Sequence, residues 1–470
     1  MREAVRPVSR EEILRQEDII RQIRLRPDRP QSYCIITYGC QMNAHDSEKL
    51  AGILEEMGMR PESDRQKADL ILFNTCCIRD NAERRAMGNI IFTKEIRREK
   101  PHLLVGVCGC MAQQKGFQDR LKDRYPFVDF SFGPGEIYRL PERLLYAMEG
   151  HREEAFKSGE DSTLYEGLPV LRRDPFFAYL TVMYGCDNFC SYCVVPMVRG
   201  CERSRPMAQI LREAEDLVKG GVQEIMLLGQ NVNSYDGGEP GADFARLLHE
   251  LGKTGIRRLR FMTSNPKDLS DGLILEMARN PAVCPHLHLP AQSGSDRMLS
   301  AMNRRYTRET YLDRVRALRS AMPHIGLTTD LIVAFPGESE QDFGDTLSLV
   351  EEVRFDSAFT FIYSPRTGTK AAGLPDRVPP ETAKDRITRL IAKQEDITRS
   401  VFASLIGTAD HVLAEGVSRR DGGQLTGKTG RSLACNFPGP PELIGQIVPV
   451  RITGQGSNTL KAERIERKPE

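Results

Sequence analysis

The run Tyr184-Gly185-Cys186-Asp187-Asn188-Phe189-Cys190-Ser191-Tyr192-Cys193 places three thiols in one short loop with the spacing C-x3-C-x2-C. A tetrahedral zinc site takes four ligands, usually as two C-x2-C pairs or one pair with histidines, and no fourth ligand stands nearby in the chain. Three cysteinates suit a four-iron cluster that keeps one iron open to an outside ligand, because soft thiolates are the ligands such clusters select. The plain alternative is three buried thiols that happen to be close, and the position of the loop directly after a strand-like segment argues against it. Five further cysteines fall at the ends of apolar runs: Cys40, the neighbours Cys76 and Cys77, and Cys108 with Cys110. On extended backbone Cys76 and Cys77 would face opposite ways, while Cys108 and Cys110 could share a face. Spacing alone therefore leaves open which thiol at each place is a ligand.

These thiols need elements to position them. Residues 33–38, 68–73 and 103–107 read as strands that end at Cys40, at Cys76 and Cys77, and at Cys108 and Cys110, with helical stretches between them. Strands alternating with helices predict an α/β, doubly wound parallel sheet, and in such sheets ligands gather at the carboxyl ends of the strands. Three cysteine placements on one edge point to a second cluster rather than to scattered core thiols. Residues 176–183 (FFAYLTVM) read as a buried strand that Gly185 breaks just before Cys186. Further strands at 224–228, 259–262, 286–290 and 326–333 each run into a polar loop, as in Gly229-Gln230-Asn231 and Thr263-Ser264-Asn265. Parallel strands closing into a partial (β/α) barrel would converge those loops and the cysteine loop on one carboxyl face. His286 and His288 alternate on one strand and share a face, which suits a packed or hydrogen-bonded role as well as any other.

The rest of the chain frames these two regions. Residues 1–30 form a charged arm with Ile13, Leu14, Ile19, Ile20 and Ile23 on one helical stripe, expected to dock on the domain behind it. The expected division is that arm, a first domain over 31–150, a polar connection over 151–173, a barrel over 174–402 and a small antiparallel β-barrel over 403–470. Length agrees, since 470 residues at roughly 150 per domain suggest about three domains. No stretch approaches the roughly 20 apolar residues of a membrane helix, and the polar amino terminus lacks a signal peptide's apolar core, so a cytoplasmic protein without membrane contact is expected. Twelve cysteines in such a compartment argue for metal or catalysis before disulfides. A net charge of +1 advertises no global field for nucleic acid, so any RNA must be met by local patches.

The cysteine loop, following a strand and carrying Tyr192 before its last thiol, resembles the radical S-adenosylmethionine (radical SAM) superfamily. The segments YGCQMN, NTCCIRD and VGVCGCMAQQ, followed by LLGQNVNSY, HLPAQSGS, MNRRYT, TTDLIVAFPGE and YSPRTGT, are similar in order to those of its methylthiotransferases, over about residues 33–465. That resemblance maps ligands of an auxiliary cluster onto Cys40, Cys76 and Cys110, leaving Cys34, Cys77 and Cys108 as buried thiols, and of the radical cluster onto Cys186, Cys190 and Cys193. It implies two [4Fe-4S] clusters, with S-adenosylmethionine lined by Tyr192, Gln230, Asn231, Thr263, Ser264, Gln292, Arg304 and Asp330. The tail resembles a TRAM module, in which Arg419, Arg420, Lys428 and Arg431 would meet RNA phosphates and Phe437 would offer a stacking ring. Two departures stand out: Ala334 where the family usually has glycine, and Cys201 where it has an acidic residue. The activity implied is methylthiolation at C2 of N6-dimethylallyladenosine beside the anticodon of tRNA. The runners-up are a threonylcarbamoyl-adenosine tRNA or a ribosomal-protein aspartate as substrate, and an RNA-binding iron–sulfur protein without turnover. Implied partners are tRNA (its anticodon stem-loop), an electron donor such as flavodoxin or ferredoxin and a sulfur donor, with the chain a monomer.

Overall fold

The computed structural model describes residues 6–78, 80–157, 163–164, 167–238, 240–419 and 421–465. The chain divides into two compact units: Met1–Arg173 with Tyr184–Asp187 and Cys193–Arg203, and Asp174–Met183 with Asn188–Tyr192 and Ser204–Glu470.

The first unit is built on a five-stranded sheet in which every pairing is parallel. Its spatial order is Arg60–Pro61, Ser32–Thr37, Leu70–Thr75, Leu104–Gly109 and Phe130–Phe132. The central strand LILFNT is buried along its whole length, as a strand covered on both faces must be, and helices Gln41–Glu56 and Asp80–Glu99 provide crossovers. The chain leaves Ser32–Thr37 towards one edge and returns past it to Leu70–Thr75. The topological switch point, where such sheets bind ligands, therefore lies between the carboxyl ends of these two strands. The amino-terminal arm is the helix Arg10–Leu25; Ile19 and Ile23 enter the core of this unit, while Leu14 at the stripe's edge stays exposed. The polar connection also contributes, since Ala155 and Phe156 are buried in the same core.

Among the described residues the second unit holds six strands paired in parallel. Phe177–Thr181, Glu224–Leu228 and Arg258–Phe261 form one group, and His286–His288, Gly326–Val333 and Ser357–Ile362 the other. A parallel bridge between Leu259 and Val283 stitches them together. Leu287, Leu327, Leu331 and Val333 point outward into a core completed by Tyr311, Val315, Leu318, Leu349 and Val350 from the covering helices. The alternate residues of the same strands therefore face the lumen. Six strands rather than eight leave Ser357–Ile362 as an open edge.

The tail, Ala409–Val417, Gln424–Lys428, Ala434–Pro438, Ile447–Gln455 and Leu460–Arg464, closes into a five-stranded barrel. It is antiparallel except for one parallel pair, Ala434–Pro438 with Leu460–Arg464, which closes it. This barrel sits on the amino-terminal ends of the six strands. Arg258 donates to the Lys428 carbonyl at 3.0 Å, Arg260 donates to the carbonyls of Gly430 at 3.0 Å and Thr429 at 2.6 Å, and Arg431 chelates Asp356 at 2.6 and 2.7 Å. Both arginines from the third strand also pair with Glu224. Two expectations change as a result. Arg431 is held by a buried carboxylate instead of being presented to RNA, and Phe437 is fully buried in the small barrel's own core. Arg420 lies outside the described residues.

Candidate metal centres

In the first unit each proposed thiol sits just past a strand: Cys40 after Ser32–Thr37, Cys76 after Leu70–Thr75, Cys110 after Leu104–Gly109. Cys40 is the N-cap of the helix Gln41–Glu56, where the helix dipole favours negative charge. The turn before it demands glycine. Gly39 has φ +108°, and a Cβ there would lie 2.7 Å from the Cys76 sulfur. The hub of the arrangement is Asn43. Its Nδ2 donates to the carbonyls of Tyr38 and Thr75, both at 2.9 Å, tying the helix start to two strand ends. Its Oδ1 lies 3.8 Å from the Cys40 sulfur, 3.9 Å from the Cys110 sulfur and 2.8 Å from Arg199 Nη2. Thus Cys40 and Cys110, 70 residues apart in number, share one side-chain neighbour.

Nothing local in the sequence marks Arg199 as part of this site. It is 8 % exposed, and the same Nη2 donates to Asp46 at 2.8 Å. Burial opposes its charge, but Cys110, Asp46 and Cys40 outweigh that and hold the guanidinium protonated. In turn the Cys110 thiol is held below the ordinary thiol range, first by a hydrogen bond from Cys77 and then, against the opposing effect of burial, by Arg199. The Cys77 thiol is pushed up by the same bond and by burial, and Cys108 is pushed up by burial. Of these neighbouring thiols Cys110 is the one whose thiolate form its surroundings favour. Among the described residues, no three His, Cys, Asp or Glu side chains are already grouped as an ion's ligands. The donor chemistry nevertheless fits a thiolate-held cluster: soft sulfurs at a switch point, a helix N-terminus and a buried cation.

The C-x3-C-x2-C loop is distributed over both units. In the first, Cys186 N–H donates to the Gly200 carbonyl at 3.1 Å, and the Cys193 sulfur accepts the Val195 N–H at 3.5 Å. Gly185 has φ +71°, and a Cβ there would stand 1.9 Å from the Cys201 carbonyl oxygen, so no other residue fits. Cys201 itself is exposed. In the second unit, the Cys190 sulfur accepts Arg304 Nη1 at 3.3 Å. Arg304 also reaches the Tyr306 hydroxyl at 2.9 Å and the Pro290 carbonyl at 3.3 Å. Tyr192 packs beside a small cluster of Met298, Met302, Ile332, Phe335 and Ala371.

The other residues expected around S-adenosylmethionine are brought to the carboxyl ends of the six strands, apart from Asp330, which lies within its strand. Gln230 and Asn231 follow the second strand and Thr263 and Ser264 the third; Gln292 follows the fourth, and Asp330 is in the fifth. Buried Gln230 Oε1, Asn231 Oδ1 and Ser264 Oγ lack a protein hydrogen-bond partner. Native proteins seldom leave such atoms unsatisfied, so three on one rim fit a polar ligand. Thr263 and Gln292 both have φ +66°, and Ala334, just past the fifth strand, has φ +59°. Backbone strain of this kind collects at functional sites. The Ala334 conformation gives the physical reason a glycine would suit that position.

On the terminal barrel Arg419 is exposed, and Lys428 Nζ is 3.8 Å from Glu415 with 45 % of its side chain exposed. No helix among the described residues is long and apolar enough to cross a membrane.

Three family descriptions match the chain: uncharacterized protein family UPF0004 over residues 32–133, the radical SAM superfamily over 180–350 and the TRAM domain over 404–465. A tRNA-2-methylthio-N(6)-dimethylallyladenosine synthase of Alkaliphilus oremlandii is 46 % identical over 98 % of this chain and 98 % of its own. Its namesake from Acetivibrio thermocellus is 46 % identical over 98 % and 96 %. Among solved structures, the radical S-adenosylmethionine methyltransferase TsrM from Kitasatospora setae, with cobalamin and a [4Fe-4S] cluster bound, aligns with TM-score 0.53 and 15 % identity. That alignment spans 73 % of this chain and 77 % of TsrM, a likeness of fold. At 46 % identity to those two synthases over 98 % of its length, the chain belongs to the family of the tRNA-2-methylthio-N(6)-dimethylallyladenosine synthases, radical SAM enzymes that carry a TRAM domain.

Proposed function

We propose that this chain is a tRNA methylthiotransferase that inserts sulfur at C2 of N6-dimethylallyladenosine beside the anticodon and methylates it. The observation that carries the reading is the near-full-length relationship to synthases named for that product. The aromatic C2–H bond has no acidic proton, so general-base catalysis cannot open it and a cofactor must. Two [4Fe-4S] clusters and S-adenosylmethionine would supply the one-electron chemistry, the sulfur and the methyl group. Cys186, Cys190 and Cys193 would hold one cluster, and Cys40, Cys76 and Cys110 the other.

The chain's own contributions are electrostatic and positional. Arg199 keeps a positive charge beside Cys40 and Cys110, which lowers the cost of gathering anionic sulfur in a dry site. Arg304 donates to the Cys190 sulfur and fixes its direction. The unpaired atoms of Gln230, Asn231 and Ser264 offer hydrogen bonds to the polar groups of S-adenosylmethionine, with Tyr192, Thr263, Gln292 and Asp330 around them. Exposed Arg419 and Lys428 grip the RNA backbone, with an external one-electron donor such as flavodoxin or ferredoxin and a sulfur donor completing the reaction. The protein would act in the cytoplasm as a monomer.

The test is nucleoside analysis of tRNA from a deletion strain complemented with this chain, and of prenylated tRNA treated with the reconstituted protein. The expected product is 2-methylthio-N6-dimethylallyladenosine. Equal turnover of unprenylated tRNA, of a threonylcarbamoyl-adenosine tRNA or of a ribosomal protein would overturn the substrate assignment.

A further inference from the structure

The sixth strand of the open barrel carries an aromatic ring on its inner face. Register pairs Thr328 with Ser357, Asp330 with Phe359 and Ile332 with Phe361. The intervening residues Leu327, Leu331 and Val333 lie in the helix-covered core, and Ala358 packs against it, so Ser357, Phe359 and Phe361 face the lumen. Phe359 is 49 % exposed there. Its ring lies 6.0 Å from that of His288 at an interplanar angle of 67°, an edge-to-face arrangement. His288 is itself fixed: Nδ1 shares a 3.0 Å hydrogen bond with Thr328 Oγ1, and Nε2 stands 3.5 Å from Asp330 Oδ2. The phenyl ring thus has one edge held by a buried imidazole and much of its surface open, at the unpaired edge of the sheet.

An apolar ring left open to water inside a polar lumen asks for a flat apolar partner, and a purine base is one. Enzymes that act on a base must take it out of its stack and hold it between aromatic or apolar side chains. Phe359 lies three residues, about 10 Å of strand, below the carboxyl end at Ile362. The unpaired rim atoms of Gln230, Asn231 and Ser264 follow the second and third strands, far from this edge in strand order; of the residues placed around S-adenosylmethionine, Asp330 is the one that adjoins Phe359, as its register partner. We propose that Phe359 is the stacking platform for the splayed adenine of the substrate tRNA, with His288 holding the ring in place. This rests on the adenine-modifying function proposed above and names the residue that would receive the base.

The experiment uses the full-length protein and an anticodon stem-loop RNA, prenylated at the target adenosine for affinity or carrying 2-aminopurine there for fluorescence. Phe359→Ala should weaken RNA binding roughly tenfold, the size expected of one base–aromatic stack. Phe359→Trp should restore it and Phe359→Leu should not. Bound 2-aminopurine, quenched on the wild-type ring, should be brighter on the leucine variant. S-adenosylmethionine affinity, to which Phe359 contributes through its neighbour Asp330 alone, should fall by much less than RNA affinity. Should the alanine variant unfold, the comparison of tryptophan with leucine decides. RNA binding and quenching by the leucine variant equal to the wild type would overturn the proposal, as would a loss confined to S-adenosylmethionine affinity. Failure of the wild-type protein to modify prenylated RNA would instead overturn the underlying function.

Discussion

The first sheet and the six-stranded barrel are both parallel and both carry thiols at strand ends, yet they assemble their sites in opposite ways. In the barrel region three cysteines arrive within eight positions of one loop; in the first sheet Cys40, Cys76 and Cys110 come from three separate strand ends. A local loop can present its sulfurs once a single strand and turn are formed. A dispersed set exists only when the sheet's order is complete, so it needs a scaffold that reaches across. Asn43 is that scaffold, bonded to two strand ends and facing two of the sulfurs. Arg199 supplies the countercharge.

The most severe way to break the comparison is to remove each set of thiols. Reconstituted without oxygen, the protein should bind roughly eight irons, and either triple alanine variant roughly four, if each triad holds a four-iron cluster. Replacing Cys186, Cys190 and Cys193 should abolish reductive cleavage of S-adenosylmethionine. Replacing Cys40, Cys76 and Cys110 should leave cleavage in place and stop thiolation. Zinc in place of iron, or full thiolation by the second variant, would collapse the distinction between the two regions.

The scaffold can be broken without touching a sulfur. Arg199→Met leaves Asp46, itself buried, without its countercharge, and removing one partner of a buried pair costs about 3–5 kcal/mol. Denaturant unfolding of the iron-free protein should register most of that loss. Asp46→Asn with Arg199 intact should also destabilise, and the double variant should recover part of the loss. Strict additivity of the two would mean that the ion pair is not a unit.

How much of this was legible follows the same division. The C-x3-C-x2-C loop was readable because its chemistry is contained in ten consecutive letters. The strand ends at Cys40, Cys76 and Cys110 were readable as places, since apolar runs stop there, but choosing among Cys76, Cys77, Cys108 and Cys110 needed family resemblance. Arg199 and Asp46 were invisible because they lie 153 positions apart and meet only through folding. The cue that could have raised Asn43 was its place three residues after Cys40, at the start of a helix. Arg431 misled for a related reason. A basic residue in a turn of an RNA-binding module reads as a phosphate contact, and nothing local reveals that Asp356 claims it. Phe437 alternates with polar neighbours on a strand, and period two cannot say which face is the core.

A gentler comparison concerns protons. His286, at the foot of the barrel, is buried and pushed down to about 3, first by desolvation and then by Arg260 and His288. The unfolded chain takes up a proton near 6.5 that the folded chain refuses, so the neutral imidazole's contribution is complete above about 6.5 and is lost as pH falls towards 3. Stability should therefore drop by up to about 1.4 kcal/mol per pH unit inside that window. His286→Gln should flatten this part of the profile measured by chemical denaturation. An unchanged slope would move the responsible group elsewhere.

The smallest effect tests the backbone strain. Gly185 and Ala334 share a left-handed conformation, at φ +71° and φ +59°, but only the first has a carbonyl where a Cβ would go. Ala334 is buried, and its N–H donates to Glu338 at 2.7 Å, a carboxylate anchored in turn by Arg386 at 2.8 Å, which holds the backbone in this conformation. An L-residue in that region pays about 1–2 kcal/mol, and replacing it by glycine returns about 0.4–1 kcal/mol of that as unfolded-chain entropy. Ala334→Gly should therefore stabilise by about 0.5 kcal/mol, a rise of about 1 °C or so in Tm for a chain this large. A loss of stability would show that the buried methyl contributes more packing than the conformation costs, and that the strain at this strand end is held in place by its neighbours.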